Sequence, residues 1–183
     1  MRQLFSTFLL IMGLSVSAQQ AYNVRAPFDP ATVKMEESMR GEVLRFTLSE
    51  SPIYPGTERE ILVYVPQQYT GEQPACLLVC MDGILYDATT VMDNLIASGE
   101  MPVTIGVFIQ PGVVNDEEGD VVRYNRCKEF DSTDDLFVTF IETEVLPKVE
   151  GMQTASGKTI HLSHDANDRV ITGASSGGIA AFT

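Results

Sequence analysis

Apolar and polar residues alternate along Gly41–Leu48, with Val43, Leu44, Phe46 and Leu48 as the apolar members. A cleaner alternation over Thr57–Val65 sets Ile61, Val63 and Val65 on one face. Period-two patterning of this kind predicts a pair of antiparallel strands. The Pro- and Gly-containing stretch Ser51–Gly56 predicts the loop between them. The pattern then changes. Cys76–Met81 is continuously apolar, and so is Val103–Ile109; Arg169–Gly173 reads as a third run. Unbroken runs of this length fit strands covered on both faces. Between them lie segments of helical period. Thr90–Ser98 carries Val91, Met92, Leu95 and Ile96 on one face, with Gly99 as its stop. Ser132–Asp135 resembles a capping box and predicts the start of a second helix. Leu136, Phe137, Phe140, Ile141 and Val145 form its apolar face, and Pro147 is expected to close it.

The order is therefore two alternating strands, then buried strand, helix, buried strand, helix, buried strand. Crossover helices between buried strands predict an α/β fold. Its sheet is mostly parallel, with antiparallel N-terminal edge strands and helices on both faces. Residues 19–40 are polar, hold Pro27 and Pro30, and read as an extended lead-in to a domain over 41–183. Residues 1–18 have the layout of a signal peptide: Met1-Arg2, a short apolar run over Leu4–Leu14, and small residues up to Ala18. The run is short for a bilayer span, so the expectation is cleavage rather than an uncut anchor. The mature chain would then be periplasmic or secreted, with no integral membrane segment.

Composition narrows the partners. The formal charge of −13 argues against nucleic acid, which calls for a basic stripe. Asn115–Asp120 is acidic, but its spacing does not match an EF-hand and it reads as a solvated loop. Cys76 and Cys80 would lie about 13 Å apart on one strand, too far to pair with each other. Free thiols are the simpler reading, with a bridge from either to Cys127 left open.

The sharpest chemical signal is Gly173-Ala174-Ser175-Ser176-Gly177-Gly178, a G-x-S-x-G pattern between a strand and an apolar run that can begin a helix. A serine on such a tight corner is exposed for nucleophilic attack, and small neighbours let the helix pass close to the sheet. Ser175 is the candidate nucleophile; moving the pattern to Ser176 would need Gly at 174, where Ala stands. The stabilising N–H groups for an oxyanion would come from Ser176 and from the loop Asp82-Gly83-Ile84, with Gly83 and Ile84 as candidates. A base and an acid are also needed. His161 and His164 precede the serine in a polar stretch and read as exposed loop, with no third ligand cluster for a metal.

At these residues the chain resembles the putative-esterase family of α/β-hydrolases, which includes enterochelin (siderophore), feruloyl and acetyl-xylan esterases and S-formylglutathione hydrolases. The resemblance rests on Val63-Tyr64-Val65-Pro66, Leu77–Gly83, Tyr124–Asp131, Phe140–Pro147 and Arg169–Gly178. It is nearest the siderophore-esterase branch. It implies an α/β-hydrolase fold, with Ser175 attacking a carboxylic ester, carbohydrate-linked or siderophore-like, and no cofactor or metal. It implies an acid and a His downstream of the serine, so the expectation is an N-terminal part of such a domain, incomplete after the nucleophile corner. It also places Arg126 and Glu129 near the pocket, as substrate contacts or as a structural ion pair. Two alternatives stay open: a non-catalytic hydrolase-like domain that binds a ligand or glycan, and an acyltransferase.

Overall fold

The computed structural model describes residues 29–183. The expected leader over 1–18, and the lead-in up to residue 28, lie outside the described residues. Ala31–Thr183 forms one unit. Its sheet has five strands in the order β1-β2-β4-β3-β7. β1 (Glu42–Leu48) and β2 (Arg59–Val65) are the predicted antiparallel pair, in register Glu42↔Val65 to Leu48↔Arg59. β2 also runs antiparallel to β4 (Thr104–Ile109). β3 (Cys76–Met81) lies between two parallel neighbours, β4 on one side and β7 (Arg169–Thr172) on the other.

The patterning follows from that placement. All six residues of β4 are buried, because helices cover both of its faces. On one face α1 (Ala88–Ser98) lays Met92 and Ile96 over Tyr64, Cys80 and Phe108. On the other, Phe137, Phe140, Ile141, Val145, Leu146 and Val149 cover Ile61, Val63, Val79, Met81, Val107 and Ile109. Each such aliphatic or aromatic side chain removed from water contributes about 1.5–3 kcal/mol, which fixes the strand registers.

The second long helix departs from its expected bounds. It runs as α3 (Leu136–Phe140), a π-helical stretch (Ile141–Val145) and α4 (Leu146–Glu150). It begins at Leu136 rather than Ser132: the Asp134 carboxylate accepts from Leu136 N–H, so the capping-box pattern belongs to the turn before the helix. Pro147 does not end it. The π turn resets the hydrogen bonding, and Pro147 falls in the first turn of α4, where a missing N–H costs nothing. Asn115–Asp120 includes the turn of a small hairpin, β5 (Val113–Asn115) with β6 (Val121–Tyr124). A short helix, α2 (Arg126–Phe130), follows.

Candidate active site

Parallel β3 and β7 end side by side, Cys80 opposite Thr172, so the segments that follow them emerge at the same end of the sheet. After β3 come Asp82, Gly83 and Ile84; after β7 come Gly173, Ala174 and Ser175. Ser175 then caps α5 (Ser176–Phe182), as the G-x-S-x-G pattern predicts. Its backbone has φ 56° and ψ −124°, and its side chain is exposed. A non-glycine residue at positive φ costs about 1–3 kcal/mol and persists only where its surroundings enforce it. Among the described residues, non-glycine positive φ occurs at Asp82, Tyr86, Asp87 and Ser175. All four lie in the corner or in the loop beside it.

The glycines explain how the corner closes. A Cβ on Gly173 would run into the Gly177 carbonyl. A Cβ on Gly177 would stand 3.1 Å from both Asp82 Oδ2 and Met81 Cβ. The helix therefore starts in contact with the β3 end. Gly177 N–H donates to Ala174 O at 2.9 Å, and Gly178 N–H to Ser175 O at 2.9 Å. Ser176 N–H, first in the helix, meets no acceptor among the described residues.

The β3 loop divides the two candidate donors. Gly83 N–H donates to Ile109 O at 3.3 Å, so it is committed to the end of β4 and is corrected out of the oxyanion pair. Ile84 N–H has no partner among the described residues. Gly83 keeps a structural role: at φ 77° it turns the chain where a Cβ would collide with Gln110.

Arg126 and Glu129 do not pair with each other. Arg126 bonds both carboxylate oxygens of Asp82, at 2.6 and 2.7 Å, and reaches Ala174 O at 3.4 Å. The hydrogen bond it donates to the Asp82 carboxylate holds the guanidinium pKa above its usual value. Glu129 is fully buried and binds Arg59 through two oxygens, at 2.7 and 2.9 Å. It also accepts from Gly112 N–H and Asn125 Nδ2. With no face open to solvent, Glu129 is corrected from a substrate contact to the anchor of α2, the helix that carries Arg126.

The histidines lie elsewhere. His161 O accepts from Ala75 N–H, at the start of β3, whereas Ser175 follows the far end of the sheet. Six strand residues separate the two ends by about 20 Å. His164 contacts Arg169 and Glu150. Among the described residues no side chain hydrogen-bonds the Ser175 hydroxyl, and no His/Cys/Asp/Glu group could hold a metal. All three cysteines are free. Burial, then the Asp82 charge, pushes the Cys80 thiol up and keeps it protonated.

An apolar cleft of about 340 Å³ borders the corner, lined by Leu78, Cys80, Leu85, Tyr86, Gly173 and Ala174 among others. A larger cleft of about 440 Å³, between Arg40, Tyr69 and Lys158, opens at the opposite end of the sheet, and none of its lining residues is a non-glycine at positive φ. Sequence reasoning did not single out Asp82 as a side chain or the Asp82–Arg126 pair. Partners separated by 44 positions leave no local signal.

Comparison with known proteins agrees with this geometry. A solved ferulic acid esterase superposes with a TM-score of 0.53 at 23% identity, over 78% of this chain and 52% of that one. A ferulic acid esterase from Anaeromyces mucronatus, in complex with ferulic acid, gives 0.55 at 16% identity, over 82% and 54%. The BES protein from Bacillus cereus gives 0.50 at 18%, over 86% and 58%. The shared fold is that of the α/β-hydrolases, and the chain spans about half the length of these structures. No curated protein sequence matches the chain. A family model described as "Putative esterase" matches residues 53–183.

Proposed function

Because the chain belongs to the Putative esterase family, we propose that it supplies the nucleophile and oxyanion site of an exported serine esterase. Ser175 Oγ adds to the carbonyl carbon of an ester and loses its proton to a base. The alcohol leaves with a proton, and water then hydrolyses the acyl-Ser175 ester to a carboxylic acid and free serine. Ser176 N–H and Ile84 N–H hold the developing oxyanion. The observation that carries this reading is the strained, exposed Ser175 on a strand-to-helix corner. The substrate proposed is a small-molecule or glycan ester, carbohydrate-linked or siderophore-like. Periplasmic or secreted location rests on the Met1–Ala18 pattern.

The test is hydrolysis of p-nitrophenyl acetate by the full-length protein. Ser175→Ala is expected to lower kcat by at least about 10³-fold, since nucleophile and activation are lost together. Unchanged turnover would remove Ser175 from the mechanism. The 183-residue chain alone is expected to turn over little.

One observation favours a second reading, a hydrolase-like domain that binds its ligand without catalysis: no base contacts Ser175 among the described residues. Equilibrium binding of an ester by the full-length protein, with no hydrolysis over hours, would select it.

A further inference from the structure

We propose that Arg126 is a positioning residue that holds the oxyanion loop and the nucleophile corner together. The inference rests on the serine-esterase reading and goes beyond it. Two segments must be placed against each other for the site to work, and they are joined by no backbone hydrogen bond between Asp82–Ile84 and Gly173–Ser176. The guanidinium spans them. It grips the Asp82 carboxylate through two short bonds and reaches the carbonyl of Ala174, the residue before Ser175. A two-point charge-assisted contact fixes orientation as well as distance. Asp82 itself sits at φ 66°, so its loop relaxes elsewhere if the grip is lost.

The arm is built to be stiff. Arg126 opens α2, and Glu129, one turn on, locks that helix to β2 through the buried Arg59 pair. The Arg126 guanidinium also lies 5.6 Å from the centre of the Phe130 ring. On its other side, Asp82 Oδ2 abuts Gly177 at the start of α5. There is an electrostatic reason too. A bare carboxylate beside the site of a developing oxyanion would oppose the reaction, and Arg126 neutralises it. Arg126 does not need to touch substrate for either effect.

The experiment compares Arg126→Ala, Arg126→Lys and Asp82→Asn/Arg126→Ala in the full-length protein, with Ser175→Ala alongside. Arg126→Ala is expected to lower kcat about 100-fold, the cost of a misplacement near 1 Å, with KM changed less than about threefold. Arg126→Lys keeps the charge but loses the fork, and is expected to fall between. The double variant is expected to be no slower than Arg126→Ala, because the unpaired carboxylate is gone. In the 183-residue chain, Arg126→Ala is expected to speed hydrogen exchange at Ile84 and Ser176 together, with β4 unchanged. A risen KM at constant kcat, a kcat within twofold of the parent, or unchanged exchange at both amides would overturn the proposal. If Ser175→Ala retained full activity, the esterase reading itself would fall; if only the Arg126 variants did, the positioning role alone would.

Discussion

Ser175, Asp82 and Glu129 each do something different from what a residue type alone would suggest. Ser175 is set apart by a backbone that no other described serine adopts, and Gly173 permits it. Gly173→Ala is expected to destabilise the chain by about 1–3 kcal/mol through overpacking against the Gly177 carbonyl, read as a fall in Tm. Glu129→Gln breaks a buried pair, which costs about 3–5 kcal/mol. For a chain of this size that is a drop of roughly 6–20 °C in Tm; a drop below about 2 °C, the shift that about 1 kcal/mol would give, would contradict the anchoring role. Tyr54 offers a pH test. Burial, then the Glu129 charge, raises its phenol from 10.0 to about 12. The folded state binds that proton more tightly, so its contribution to stability is whole below about pH 10 and is lost between about pH 10 and 12. Phenolate absorbance of the folded chain should therefore show late titration that disappears in Tyr54→Phe. The corner at Ser175 and its glycines were legible in the sequence because the corner is local. The roles of Glu129, Gly83 and Arg126 were not, because each depends on a partner distant in the chain.

Among the elements, the strands followed the apolar pattern closely. A buried parallel strand and an alternating antiparallel one carry different signatures, and both are present. The helices were read less well at their ends. Pro147 suggested a stop, but a π turn upstream places it in a fresh first turn. The β5–β6 hairpin was hidden because acidic turn residues dominate it, although Val113-Val114 and Val121-Val122 flank that turn as a hairpin would. β7 is an edge strand that pairs only with β3 among the described residues, and its Val170 is 55% exposed. An open edge of this kind templates pairing with another chain. The 183-residue chain is expected to self-associate with rising concentration, and Val170→Lys is expected to reduce that. Light scattering after size exclusion checks both; a single monomer peak at all concentrations would contradict the exposed-edge account.

At the scale of the whole molecule, the sheet order places two loops at one end, and strain gathers there. The opposite end holds the histidines and the larger cleft, and among the described residues it has no positive-φ residue other than glycine. No helix among the described residues is long and apolar enough to cross a membrane. The acidic charge of −13 argues against a nucleic-acid partner. The decisive measurement is peptide mapping by mass spectrometry after the full-length protein is treated with a fluorophosphonate. An adduct on Ser175, absent after prior heat denaturation, is the outcome that fits a strained and activated corner serine. An adduct on Ser176 or any other side chain, with Ser175 unmodified while ester hydrolysis is inhibited, would contradict it.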